Sequence, residues 1–184
     1  ALKVYQDALD FSPENAELLT TVGLTYLRLD EPAKAFDSLG NALAIDPTNA
    51  RAILAAGSII QDNGDHDVAL HKYRVAAVKK PDSPQLWNNI GMALFGKGKL
   101  VAAISSLKKA ILFDALEWII QHNLGIVHLH TGQFVTAFHH LQASINLHAD
   151  YAPSFQYLGI ALAELDDLPN ARAAFKKSLK LDDT

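Results

Sequence analysis

Histidine is the residue type in this chain whose abundance and spacing suggest chemistry. Six of the eight histidines lie close together in the sequence: His122, His128, His130, His139, His140 and His148. A zinc site needs three or four ligands that converge on one ion. On helices, His122 and His130 are two turns apart and the adjacent His139 and His140 point to different faces, so we expect no metal site. We expect surface and groove imidazoles instead, with His128 partly buried and with binding that responds to pH near about 6.5.

The other candidate chemical motifs lack essential partners. Lys97-Gly98-Lys99 has neither the flanking glycines nor the Ser or Thr of a phosphate-binding loop, so it is typical of a hairpin turn. Cysteine is absent, which removes thiolate chemistry and disulfides. No Ser-His-Asp set, carboxylate pair or Gly-rich loop stands in a context that supports catalysis. We therefore expect no enzyme activity, no catalytic residue and no cofactor.

The elements that would position any site repeat every 34 residues. Two sets of small residues keep this period: Gly23, Gly57, Gly91, Gly125 and Gly159, and Ala1, Ala35, Ala69, Ala103, Ala137 and Ala171. Apolar residues lie three and four positions apart around each glycine, which predicts one helix, and the pattern after each alanine predicts a second. A small residue where two helices cross lets their backbones approach, and a bulky residue such as Leu39 or Tyr73 fills the space beside it.

Proline and turn residues separate the predicted helices. Pro13, Pro47 and Pro81 end a helix, because the residue before a proline is disfavoured in the helical region. Asp30-Glu31-Pro32, Asn63-Gly64-Asp65 and Thr131-Gly132-Gln133 supply tight turns. In later repeats Ala115, Ala149 and Asp183 stand where proline is usual, so we expect those junctions to be more continuous or differently angled.

The pattern resembles the tetratricopeptide repeat and predicts an all-α, right-handed superhelix of helical hairpins. We assign residues 1–15 to the second helix of a truncated repeat, and five repeats to 16–49, 50–83, 84–117, 118–151 and 152–184. Because the chain opens in mid-repeat, we expect a central piece of a longer protein. Trp87 falls in the standard core position, whereas Trp118 does not, which suggests a repeat junction or a partner contact.

Composition excludes several classes of partner. The net charge is -4 and the basic residues are scattered, which argues against nucleic acid. No stretch approaches the roughly 18 apolar residues of a membrane span, so we expect no direct membrane insertion.

Stacked repeats of this kind bind partners in the groove that their first helices line. The predicted groove residues flank the core face of those helices: Thr20, Leu24, Arg28, Arg51, Leu54, Ser58, Gln61, Asn88, Met92, Phe95, His122, Ile126, Leu129, Gln156 and Ile160. This lining is mixed but distinctly apolar, which suits an extended or helical peptide. It offers no lysine at the positions where one family of such repeats grips the carboxylate of chaperone tails, so we do not expect a chaperone co-adaptor.

Several segments resemble a narrower family, the tetratricopeptide subunits of the BBSome. The residues that carry this resemblance lie at 12–21, 46–49, 52–58, 67–70, 72–75, 86–92 and 101–105, and many of them are not fixed by the repeat. The resemblance weakens after residue 110. It implies a subunit of a multiprotein coat that moves membrane proteins into and out of cilia. It also implies contacts with other BBSome subunits, among them a second tetratricopeptide subunit and a small extended one, and with centriolar satellite proteins. The implied locations are the cytoplasm, the cilium, its basal body and the satellites.

Two other functions stay open from the residues alone. One is an adaptor of another complex that binds a free peptide, and the other is the repeat arm of an enzyme such as a glycosyltransferase. Such arms tend to carry regular asparagine ladders, and here Asn89 and Asn123 share a phase that Thr21, Ala55 and Tyr157 interrupt. We also expect self-association, because Leu168, Phe175 and Leu179 lack a following helix to cover them.

Overall fold

The computed structural model describes residues 2–182, and within that range all regular structure is helical. The helices are α1 Leu2–Phe11, α2 Ala16–Arg28, α3 Pro32–Ile45, α4 Ala50–Asp62, α5 His66–Lys79, α6 Pro84–Gly96, α7 Leu100–Phe113, α8 Trp118–His130, α9 Phe134–Leu147, α10 Ala152–Glu164 and α11 Leu168–Asp182. The first helices of successive hairpins begin 34 residues apart, and so do the second helices. The predicted all-α tetratricopeptide architecture is therefore confirmed.

Every hairpin turns at one residue with a positive φ. These residues are Asp30, Gly64, Gly98, Gly132 and Asp166, again 34 apart, with φ between 57° and 88°. Glycine adopts this left-handed conformation without a Cβ clash, and aspartate is one of the few other residues that tolerates it. The predicted turns, including Lys97-Gly98-Lys99, are thus confirmed.

The junctions between hairpins break the helix even where proline is absent. Helix α3 ends two residues before Pro47, and α7 and α9 end at the matching positions, Phe113 and Leu147. Asp114 and His148 are extended there, with ψ of 99° and 94°. The Asp114 carboxylate accepts a hydrogen bond from the Leu116 N–H at 3.0 Å, which stabilises a turn without proline. More continuous junctions at Ala115 and Ala149 are therefore wrong, whereas differently angled ones stay a prediction; Asp183 lies outside the described residues.

Each hairpin is held together where its glycine meets a large side chain. A Cβ added at Gly23, Gly91 or Gly125 would lie 2.7, 2.7 and 2.5 Å from the Cγ of Leu39, Leu107 and Leu141. Tyr73 and Phe175 take the same place beside Gly57 and Gly159. Four of the recurrent alanines that the structure describes are fully buried and Ala171 nearly so. The predicted pairing of small and large residues is confirmed.

The described helices fall into two compact units that meet between Asn89 and Ile90, within α6. In the first unit, α3 and α4 supply a core that includes Leu39 and Ile59, with α2 side chains packed against it. In the second, α9, α10 and α11 supply a core that includes Leu141, Leu158 and Ala174. Trp87 was expected in the core but is only half-buried, and its Nε1–H donates to the Pro81 carbonyl at 2.7 Å.

Candidate protein-binding surface

The first helices of the first unit present most of the predicted groove residues to solvent. Arg28 and Arg51 are exposed, and a further set is partly exposed: Leu24, Leu54, Ser58 and Gln61. Thr20 and Asn88 are instead buried, and the Thr20 hydroxyl donates to the Ala16 carbonyl at 2.7 Å. These two side chains offer a partner little surface, so they belong to the packing of the repeat.

A polar contact links two first helices of this unit. Glu17 on α2 and Arg51 on α4 lie one repeat apart in sequence, and their side chains pair at 3.2 Å. Asn49 also donates to Glu17 across 3.5 Å, while its own Oδ1 accepts from the Ala52 N–H and caps α4. Both charged side chains are more than half exposed, so the ion pair contributes little to the stability of the fold.

The second unit has a concave apolar site on its first helices. A pocket of about 390 Å³ is lined by Leu129, His130, Phe134, Tyr157, Ile160 and Glu164. Leu129 and Ile160 were predicted to face the groove. His130, Phe134 and Tyr157 were missed, although Tyr157 lies one helical turn before Ile160 on α10. Phe95 packs edge-on against His130, with ring centroids 4.9 Å apart. An apolar side chain of a partner fits such a pocket.

The predicted groove residues of this unit differ in how exposed they are to solvent. Met92, Phe95 and Leu129 are partly exposed, and Gln156 and Ile160 are exposed. His122 and Ile126 are only 3% and 8% exposed, so they too are packing residues rather than surface for a partner.

His122 belongs to a buried polar network that ties three helices together. Its Nδ1 lies 2.9 Å from the Ser154 hydroxyl, which lies 3.1 Å from the Ser144 hydroxyl. The rings of Tyr151 and Tyr157 pack edge-on against the imidazole. Burial lowers the pKa of His122 to about 4, so the ring is neutral at physiological pH. Trp118 contacts His148 and Tyr151, which places it at the junction between two hairpins.

Two further histidines stack against each other between α8 and α9. The rings of His128 and His140 are parallel, 5.5 Å apart. Their Nδ1 atoms face the amide oxygens of Gln133 and Gln121 at 2.9 and 2.8 Å. Burial lowers the pKa of both, that of His140 to about 4, and nearby Lys108 lowers both further. The expected response to pH near 6.5 is therefore wrong for His122 and His140, because desolvation opposes their protonation.

Among residues 2–182, no three His, Asp or Glu side chains converge in a way that suits a metal ion. In the same range, no helix combines the length and apolar character that crossing a bilayer requires.

The comparisons with known proteins agree with this geometry. The family model described as "Tetratricopeptide repeat" matches residues 54–117. The chain is 52% identical to "BBSome complex member BBS4" of Bos taurus and 53% to that of Mus musculus, in each case over 99% of the chain and 35% of the relative. It is 40% identical to "BBSome complex member bbs-4" of Caenorhabditis elegans over 98% of the chain and 39% of the relative. The chain thus spans little more than a third of the length of these relatives.

Solved structures show the same fold at low sequence identity. The chain superposes on a chain of the "APC/C hetero-tetramer Cut9-Hcn1" with a TM-score of 0.92, at 23% identity, over 98% of the chain and 36% of that structure. It superposes on "YrrB: a TPR protein with an unusual peptide-binding site" with a TM-score of 0.66, at 17% identity, over 98% and 93%. The chain thus has the tetratricopeptide-repeat fold, and along 99% of its length it is similar to the proteins named BBSome complex member BBS4.

Proposed function

We propose that the chain acts as a non-catalytic scaffold of the BBSome in the traffic of membrane proteins to and from cilia. The observation that carries this proposal is the 52–53% identity to BBSome complex members along 99% of the chain. The fold is consistent with it, since stacked hairpins provide long binding surfaces rather than an enclosed reaction site.

The proposed partners are other BBSome subunits, including a second tetratricopeptide subunit and a small extended one, and centriolar satellite proteins. The proposed locations are the cytoplasm, the cilium, its basal body and the satellites. In each unit, the exposed and partly exposed first-helix residues are the proposed docking surface, because most of them are apolar or carry amide or hydroxyl groups, while Arg28 and Arg51 add positive charge. Self-association through exposed Leu168 and Leu179 stays a prediction.

A peptide-binding adaptor of another complex is the second candidate function. The pocket around Leu129 and Ile160 favours it, since about 390 Å³ accommodates one or two apolar side chains of an extended segment.

Membership of the complex is tested by sedimentation. The tagged chain is expressed in ciliated cells, and the lysate is separated on a density gradient and probed for BBSome subunits. We expect part of the chain to sediment with those subunits, well ahead of free chain. If the chain sediments only as free protein while the subunits sediment as a complex, the proposed membership is wrong and the adaptor function is favoured.

A further inference from the structure

Two second helices of the unit that begins at Ile90, α7 and α11, are strongly basic. Within the described range, α7, α9 and α11 hold six Lys and Arg residues and one acidic residue, Asp182, in a chain whose net charge is -4. On α11, Arg172, Lys176 and Lys180 are exposed and recur every four residues, so they form one stripe along the helix. Helix α11 therefore presents most of this positive charge to an approaching partner.

An apolar pocket lies beside this stripe, between α9 and α11. Its volume is about 440 Å³. Its apolar lining comes from Phe138 of α9, from Ala173 and Ala174 of α11, and from three residues of α10: Phe155, Leu158 and Leu162. None of these residues lines the first-helix pocket around Leu129 and Ile160. The unit thus carries a second concave site, on different side chains.

The polar groups of this pocket favour a negatively charged occupant. Lys177 lines it, with its Nζ 5.9 Å from the centroid of the Phe155 ring. The acidic lining residue, Asp167, is already engaged: Asn170 donates to it from its side chain at 2.7 Å and from its backbone N–H at 3.3 Å. That carboxylate keeps its negative charge, but it lies at the start of α11, where the positive end of the helix dipole offsets part of it, and α11 carries four cations, Arg172, Lys176, Lys177 and Lys180.

We propose that this pocket docks an acidic amphipathic segment of a partner protein. An aromatic or long aliphatic side chain of the segment enters between α9 and α11, and Asp or Glu residues beside it meet Lys177, Lys176 and Arg172. A protein segment fits better than a membrane, because a bilayer offers no single side chain to fill a concave pocket. This inference does not depend on membership of the BBSome.

Selection from a display library of random 16-residue peptides, with the whole chain as the binding target, tests the proposal. Two variants remove the proposed contacts: Lys176→Gln with Lys177→Gln removes charge, and Ala173→Phe fills the pocket. A matched control, Lys79→Gln with Lys80→Gln, removes two adjacent exposed lysines from the other unit. Circular dichroism melts establish that each variant folds like the parent.

We expect enriched peptides in which an aromatic or aliphatic residue is flanked by Asp or Glu. Their affinity is expected to fall at least tenfold in both pocket variants, to stay unchanged in the control, and to weaken as salt is raised. The proposal is overturned if no peptide is enriched, if the enriched peptides are not acidic, or if they bind the pocket variants as well as the parent. It is also overturned if phosphatidylserine vesicles bind the chain through Lys176 and Lys177 while acidic peptides do not.

Discussion

Gly125 lies where α8 approaches α9, and the space beside it is too small for a methyl group. An added Cβ would lie 2.5 Å from Cγ of Leu141, which is fully buried and cannot swing away. We expect Gly125→Ala to lower the free energy of unfolding by about 1–2 kcal/mol, because overpacking outweighs the gain in helix propensity. Urea unfolding measures the change.

Gly40 provides the matched control for that substitution. It lies inside α3, is exposed, and an added Cβ would meet no atom within 4 Å. Gly40→Ala is expected to raise the free energy of unfolding by about 0.5–1 kcal/mol. The packing explanation for the recurrent glycines is wrong if the two substitutions change stability in the same direction.

The buried imidazoles predict that acid weakens the second unit well above the range where carboxylates titrate. Burial lowers the pKa of His122 and His140 to about 4, against about 6.5 in an unfolded chain. Between those values the unfolded chain binds protons that the folded chain excludes. Stability is therefore complete above about pH 6.5 and is lost as the pH falls towards about 4.

Urea midpoints measured from pH 7.5 to pH 4.5 test this dependence. The midpoint of the parent is expected to fall across the window, and its slope against pH to be smaller in His122→Gln, which cannot titrate. His71→Gln, at an exposed position of the other unit, is the control and should keep the slope of the parent. A slope in His122→Gln equal to that of the parent would assign the pH dependence to other groups.

The hairpin turns predict opposite effects on stability for two substitutions, one at Gly132 and one at Asp166. Gly132 and Asp166 occupy the same place in successive turns, with φ of 71° and 63°. An added Cβ at Gly132 meets no neighbour, so Gly132→Ala is expected to cost about 1 kcal/mol from backbone strain alone. Asp166→Gly relieves the same strain and is expected to be neutral or stabilising. Thermal melts compare the two; a stabilised Gly132→Ala protein would contradict the assignment of strain to the turn.

The helices and their turns were predictable from sequence because a 34-residue period repeats the same small and turn-forming residues. The breaks after Phe113 and Leu147 were not, since proline was the expected signal and an aspartate turn replaces it at Asp114. Four of the predicted groove residues are buried, which the sequence did not indicate: Thr20, Asn88, His122 and Ile126. Helical spacing places His122 on the correct helix, but its burial depends on Ser154 and two tyrosines from later in the chain. Such contacts between distant segments leave no local pattern.

At the scale of the whole molecule, successive hairpins repeat the same surfaces across residues 2–182. In the first unit a polar pair joins α2 to α4, and in the second an apolar pocket opens between α8 and α10. Surfaces of this kind allow one chain to bind several partners, because each hairpin adds its own side chains. This is the sense in which we propose that the chain acts as a scaffold.

Affinity capture tests that scaffold role most directly. The chain and two variants are used as bait in lysate from ciliated cells, and BBSome subunits are quantified by mass spectrometry. Ile160→Glu places a charge in the first-helix pocket, at a side chain that is 37% exposed, and Val135→Glu places one on a second helix at 57% exposure. We predict that the parent and Val135→Glu recover the subunits and that Ile160→Glu recovers at least about tenfold less, the equivalent of about 1.4 kcal/mol. Equal recovery by all three baits would contradict docking through the first-helix face, and recovery of no BBSome subunit by the parent would contradict the scaffold role itself.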